Sequence, residues 1–359
     1  MSSDTKRIGV MTSGGDCPGL NAAIRAITRR AVHGHGFEVL GIEDAVAGLA
    51  HRQARPLSPE LLDIDGYDPM LSTGGTILGS INKAIDAVAS EIEDGYQALG
   101  LDALIAIGGD GSLAILAEHA RSGWNLVGIP KTIDNDVALT DQSIGFDTAV
   151  RTVSRAAAQL RTTGVSHDRV MILETMGRGA GHLALAAGIA SGADAVLIPE
   201  IPWSMEGLMA AIEATRSRRS QAFALVVVAE GADPPAGTAV GVSERSERRH
   251  HGGVGEALAI AVEEASGGAI EARATVLGHI QRGGEPSPMD TILATEFGIH
   301  AVDLVAEGTF DSMVALHGTR IRPVPLADVV SAGSARVDPH EERAHTARSV
   351  GIYLGEDPQ

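Results

Sequence analysis

Short, almost unbroken apolar runs punctuate this chain, and each gives way to a polar or glycine-rich stretch before helical periodicity resumes. The runs are Ile8–Met11, Val39–Ile42, Ala103–Ile107, Leu126–Ile129, Val170–Leu173, Ala195–Ile198, Ala224–Val228 and Ala274–Leu277. A strand that is apolar on both faces must be covered on both faces, which is the condition of a parallel sheet between helical layers. Segments 20–33, 84–98, 112–121, 146–161, 204–219, 254–266 and 289–306 carry helical patterning. In the first of these, Ile24 and Ile27 mark one face and Arg25 and Arg29 another. The alternation predicts α/β layering with largely parallel sheets, and 359 residues exceed one compact core and suit two domains. Ligands of such sheets bind beyond the carboxyl ends of the strands, so the segments after each run are where chemistry is expected.

Composition narrows the class of partner. The net charge of −18 comes without a basic stripe, which argues against nucleic acid. Local clusters such as Arg216, Arg218 and Arg219 suit small phosphorylated ligands instead. Cys17 is the single cysteine, so no internal disulfide can form, as expected in a reducing cytosol. The opening MSSDTKRIGV lacks a long apolar run and no stretch reaches membrane-spanning length, so a cytoplasmic protein without a membrane partner is expected. Segments 231–252 and 331–348 are polar and read as exposed surface. His250 and His251 lack a supporting cysteine or carboxylate pattern and read as solvated side chains, not a zinc site.

Three loops carry the strongest chemical signal. The first run ends in Thr12-Ser13-Gly14-Gly15-Asp16-Cys17-Pro18-Gly19 and a helix follows, so backbone N–H groups can approach a phosphate there. No GK[ST] follows, so this is not the Walker pattern, and a plain tight turn is an equal reading. Gly108-Gly109-Asp110-Gly111-Ser112 also opens a helix; Asp110 suits either a Mg²⁺ that bridges phosphates or a helix N-cap. Pro130-Lys131-Thr132-Ile133-Asp134-Asn135-Asp136 places two carboxylates two residues apart, which fits a proton acceptor with a supporting acid and equally fits an Asx-rich turn. Further on, Glu174-Thr175-Met176-Gly177-Arg178-Gly179 and Leu277-Gly278-His279-Ile280-Gln281-Arg282-Gly283-Gly284 each offer a glycine-flanked arginine fork for phosphate.

Taken together, IGVMTSGGDCPGLNAAIR, GGTILGS, IGGDGS, PKTIDND, ETMGRGAGHLAL, ATVLGHIQRGG and VGIYLGE resemble the phosphofructokinase family, in the family's order and from about residue 7 to 356. The resemblance implies two three-layer α/β domains with the active site in the interdomain cleft. It assigns residues 1–145 plus about 281–325 to a donor domain, and 146–280 plus about 326–359 to a fructose 6-phosphate domain. The implied reaction moves the ATP γ-phosphoryl group onto the 1-hydroxyl of fructose 6-phosphate. A pyrophosphate-dependent phosphotransferase is the alternative, and a non-catalytic regulatory subunit a more distant one. By position, Asp134 is the base, Asp136 supports it, Thr132 contacts the transferring group, Arg178 counts among the catalytic residues, and Asp110 coordinates Mg²⁺. Gly15, Gly108, Gly109, Gly111, Ser112 and Lys131 line the donor. Met176, Gly177, Arg178 and Glu230 hold the sugar, and His279 and Arg282 its 6-phosphate. Arg169 and Arg273 match arginines that reach that phosphate from a neighbouring subunit, which implies a homotetramer or homodimer with shared sites. Arg25, Arg29, Arg161, Arg219 and Asp194 match a site for a regulatory phosphate compound.

Departures from the family pattern bear on the donor. Gly111 is the residue of ATP users and Lys131 that of pyrophosphate users, a mixed state. An aspartate at 111 would repel a nucleotide α-phosphate, so ATP is the expected donor. Asn82 stands where many ATP-dependent relatives have an arginine, leaving Lys83 or Lys131 as the available cations.

Overall fold

The computed structural model of the chain describes residues 5–63, 68–80, 89–218, 222–235 and 253–356; Asn82, Lys83, Arg219, His250 and His251 lie outside them. In chain order the strands are β1 (Arg7–Thr12), β2 (Glu38–Ile42), β3 (Ala54–Leu57), β4 (Ala103–Gly108), β5 (Leu126–Pro130), β6 (Val170–Thr175), β7 (Ala195–Leu197), β8 (Ala224–Ala229), β9 (Ala272–Val276), β10 (Ser312–His317) and β11 (Arg320–Pro325). They divide between two compact units, one of residues up to Thr148 with Arg282–Ala335, the other of Ala149–Gln281 with Arg336 onward.

Among the described residues the first unit forms a seven-stranded sheet in the order β11-β10-β5-β4-β1-β2-β3. Its centre is parallel, while β3 and β11 close the two edges antiparallel to β2 and β10. The centre is apolar on both faces because both are covered. Met11, Leu104, Ala106, Leu126 and Met313 pack with Ile92 and Tyr96 of helix Ala89–Ala98, Leu113 and Leu116 of helix Asp110–Arg121, and Leu326 and Val329 of helix Leu326–Ala332. The alternate residues Val10, Ile105, Val127 and Ile129 point to the other face, where helices Leu20–Arg29 and Pro288–Glu307 lie side by side. The edge strands escape an apolar-run reading: β11 (RIRPVP) is largely exposed and carries Pro323 and Pro325, residues that a central strand could not accommodate.

The second unit holds a wholly parallel four-stranded sheet, β7-β8-β6-β9. Val170, Ile172, Ala224, Val226 and Val228 face helices Met205–Arg218 and Val254–Ala265 through Leu208, Ile212, Leu258 and Val262. Helix His182–Ser191 packs on β7 and β8. Its sequence, HLALAAGIAS, is small and apolar on nearly every side, so no 3.6-residue period marks it. The polar stretch 331–348 read as surface contains the start of helix Glu342–Ser349, and that helix buries Ala344 and Ala347 completely. Alanines spaced three apart form a narrow buried seam on an otherwise polar helix, too slight to register in composition.

Candidate active site

Within the first unit, β1 has β2 on one side and β4 on the other. Right-handed crossovers then place the helix after β1 and the helix after β4 on opposite faces, and a crevice opens between the two strand ends. A cavity of about 350 Å³ occupies that position, lined by Gly14, Gly15, Gly109, Asp110, Gly111, Ser112, Ile115, Lys131, Thr132, Asp134, Asp136 and Arg282. The three glycine- or aspartate-bearing loops singled out in the sequence therefore meet at one place. Gly108 ends β4 directly behind it.

The PKTIDND loop owes its shape to its middle asparagine. Asn135 sits at φ 52°, in the left-handed region that asparagine tolerates better than most residues. Its Oδ1 accepts the Ser143 N–H at 2.9 Å and its Nδ2 donates to Asp141 O at 3.3 Å, so it is spent on the loop itself. Asp134 and Asp136, on either side, are left to line the cavity. Thr132 Oγ1 accepts the Asp134 N–H at 3.1 Å, and Ser334 Oγ donates to Asp136 Oδ2 at 3.4 Å. The Asp134 residue keeps some surface, yet its Oδ1 is buried without a hydrogen-bond partner among the described residues. Burial pushes its carboxyl up to about 6, helped by the neighbouring Asp136 and opposed by Arg282. Asp136 is raised too, by burial and then by Asp110. A carboxylate poised near neutrality with a free lone pair is suited to accept a proton.

Asp110 does not cap its helix. The N-cap is Gly109, with no side-chain cap bond, and Asp110 begins the first turn with its Oδ1 accepting the Gly111 N–H at 2.7 Å. That leaves an exposed carboxylate at a cavity lined by main-chain glycines. Among the described residues no cluster of three His, Cys, Asp or Glu side chains could cage a metal. Mg²⁺ needs only one or two carboxylates when water and phosphates complete its shell, and Asp110 together with Asp136 fits that requirement.

Lys131 is buried, at 2% exposure, and its ammonium donates to Ser13 O at 2.8 Å and Gly15 O at 2.6 Å. Burial lowers its pKa. A Cβ at Gly15 would lie 2.5 Å from the Arg282 guanidinium, the end of a flexible side chain that would have to move aside; Arg282 also donates to Asp16 O at 3.2 Å. A Cβ at Gly111, by contrast, meets nothing within 4 Å. Cys17 lies beneath the loop, fully buried, with burial pushing its thiol up to about 12; it is packing, not a nucleophile.

The second unit gathers Met176, Gly177, Arg178 and Glu230 at the carboxyl ends of β6 and β8. The Glu230 N–H donates to Thr175 O at 2.8 Å and the Gly231 N–H to Gly177 O at 3.2 Å. A Cβ on Gly231 would fall 2.1 Å from Arg178 O, so the close approach requires glycine. Arg178 itself is exposed. Gln281, quoted in its motif but given no role from sequence, is fully buried. It accepts the Met176 N–H at 3.2 Å and donates to Gly278 O at 2.9 Å, tying the Met176 loop to the turn that carries exposed His279. Arg169 and Arg273 stand elsewhere, at the amino ends of β6 and β9, ion-paired with Glu271, and Arg273 also with Glu263 at 2.9 Å. The six residues of β6 separate Arg169 from Met176, roughly 23 Å at strand rise.

The phosphofructokinase family model matches residues 7–305. The chain belongs to the phosphofructokinase family. It is 52% identical over 361 residues to the ATP-dependent 6-phosphofructokinase of Thermosynechococcus vestitus, covering 100% of this chain and 95% of that protein. Identity is also 52% over 354 residues to ATP-dependent 6-phosphofructokinase 2 of a Nostoc species, covering 98% and 99% of the two. The solved T-state phosphofructokinase of Pichia pastoris superposes with a TM-score of 0.78 at 30% identity, over 96% of this chain and 39% of that one.

Proposed function

We propose that this chain is an ATP-dependent 6-phosphofructokinase, forming fructose 1,6-bisphosphate from fructose 6-phosphate. The observation that carries the reading is Asp134: an acid raised to about 6, with a buried unpartnered Oδ1, in a cavity walled by two glycine loops. At neutral pH it is ionised and takes the proton of the sugar 1-hydroxyl. That oxygen bonds to the γ-phosphorus as the bond to the β–γ bridging oxygen breaks, and ADP leaves with the electron pair. Asp136 holds the charge pattern around the base, while Thr132 contacts the moving group. Phosphoryl transfer asks mainly for positioning and charge neutralisation, and Gly15, Gly109, Gly111 and Ser112 supply main-chain contacts for the donor. Asp110, with support from Asp136, would hold a Mg²⁺ ion, which would offset the negative charge of the donor phosphates.

ATP is favoured over pyrophosphate by the open space at Gly111 and by the names of the relatives at 52% identity. Met176, Gly177, Arg178 and Glu230 hold the sugar; His279 and Arg282 hold its 6-phosphate. By the family resemblance Arg169 and Arg273 serve the sugar phosphate of a neighbouring copy, a role consistent with their place at the opposite ends of the strands from Met176, and the working enzyme is an oligomer, a tetramer or a dimer. Regulation by a phosphate compound at Arg25, Arg29, Arg161 and Asp194 belongs to the same reading. Here Arg25 is paired with Asp68, Arg29 with Asp63 and Asp68, and Arg161 with the carbonyls of Ser191 and Gly192, so an effector would compete with these partners.

Initial rates of fructose 1,6-bisphosphate formation with Mg²⁺ and either donor test the proposal. Fast turnover with ATP and slow turnover with pyrophosphate is the expected result. The reverse would make this a pyrophosphate enzyme with the same base, and no turnover with either would favour a regulatory subunit.

A further inference from the structure

Three consecutive carbonyls of the first glycine loop are each occupied by a side-chain donor. Lys131 Nζ bonds Ser13 O at 2.8 Å and Gly15 O at 2.6 Å, and the Ser80 hydroxyl bonds Gly14 O. Two of the ammonium's three protons are therefore committed to main chain, from a side chain that is 2% exposed. A trans peptide points its C=O and the following N–H in opposite directions. Clamping these oxygens thus also fixes the N–H groups of Gly14, Gly15 and Asp16. Gly14, at φ 83°, and Gly15 both line the cavity. Any loop carbonyl that turned into the cavity would set a partial negative charge against an incoming phosphate, so the clamps remove a repulsion as well as ordering the loop.

We propose that Lys131 is a positioning residue for the phosphoryl donor: with Ser80 it keeps the carbonyl oxygens of Ser13, Gly14 and Gly15 away from the donor phosphates, and it does not read which donor is bound. The inference rests on the kinase reading above, which puts donor phosphates in this cavity. It reverses the sequence-level view of Lys131 as a cation reaching for the donor or standing in for an arginine at Asn82. An ammonium whose bonds go to the protein's own main chain presents the same surface to a nucleotide and to pyrophosphate. Donor choice then falls to other positions, of which Gly111 has open space for a discriminating side chain.

The test compares the intact protein with Lys131→Met and Ser80→Ala, using Mg·ATP titration without sugar phosphate and steady-state rates with ATP and with pyrophosphate. Loss of charge-assisted bonds predicts that Lys131→Met weakens Mg·ATP binding and raises KM for ATP by about tenfold or more, with KM for fructose 6-phosphate within about twofold. Ser80→Ala moves ATP binding the same way by about threefold. In both variants the ratio of ATP to pyrophosphate rates stays as in the parent. A shift of that ratio by about tenfold in Lys131→Met would overturn the proposal, because the lysine would then be reading the donor. Unchanged ATP binding in both variants would overturn it from the other side, as would failure of the parent to bind Mg·ATP. Should Lys131→Met not fold, Ser80→Ala decides by the same measures. A parent that binds Mg·ATP, loses it in the variants, and yet phosphorylates no sugar would remove the kinase reading and leave the clamp standing.

Discussion

Two aspartates in the first unit, Asp134 with one buried carboxylate oxygen and fully buried Asp290, show how one residue type serves chemistry in one place and architecture in another. Burial pushes the carboxyl pKa of both upward. Asp290, fully buried near the start of helix Pro288–Glu307, is answered by donors: the N–H groups of Gly145 and Thr148 at 3.0 and 2.8 Å and the Thr148 hydroxyl at 2.5 Å. Its own backbone N–H donates to the N-cap Ser287 Oγ at 3.1 Å, so its main chain completes its helix's cap while its carboxylate receives the start of helix Phe146–His167. Burial opposes the charge of Asp134 too, without such a reward, since its Oδ1 is without a partner among the described residues. An acid that the fold satisfies is holding something together. One left unsatisfied beside a cavity is waiting for a proton from elsewhere.

The comparison breaks most easily at Asp134. Its replacement by Ala should lower kcat by about 10²–10⁴-fold or more, with Tm unchanged or higher and sugar binding largely kept. In the parent enzyme the rate should fall with unit slope as pH drops through about 6, because the base is lost on protonation. A rate profile flat from about pH 5 to about pH 8 would take Asp134 out of the base role. Asp290→Ala should do the opposite: it strands three donors in a buried place and should lower stability by about 3 kcal/mol, read from denaturant midpoints. The folded fraction should keep kcat near the parent value, and a large kcat loss without a stability change would erase the distinction. Gln281 sharpens the same contrast in the second unit, since it is buried and partnered yet its partners, Met176 N–H and Gly278 O, belong to the loops proposed to hold the sugar phosphate. Gln281→Leu should raise KM for fructose 6-phosphate by about three- to tenfold while kcat moves less. An unchanged KM would make it simple packing.

Much of this was legible before any coordinates. The apolar runs located β1, β2 and β4 to β9, since strands covered on both faces cannot hide their composition. β3, β10 and β11 were missed: β3 and β11 are half-wet antiparallel edges, and β10 joins β11 in a tight hairpin while pairing with β5 through only Ser312 and Met313. Helix His182–Ser191 was missed for the opposite reason, having too little polarity to show a period. At the site, the loops were readable because glycine, aspartate and arginine in strand-end positions have few ordinary uses. The silent residues were those acting on main chain: Asn135, Ser80, Gln281 and Asp290. Nothing in a side chain's identity announces which backbone group it will meet.

The amino-acid sequence by itself determined the family, the α/β layering and the acids and glycines that a phosphoryl-transfer site requires, because those depend on residue type and on spacing within single loops. Tertiary structure alone decided what each buried polar group is bonded to. Lys131 and Ser13 are separated by 118 residues, and Asp290 and Gly145 by 145. Whether a charge is free for a ligand or spent on the chain depends on contacts across such distances, and those exist only once β1, β4 and β5 have brought their ends together.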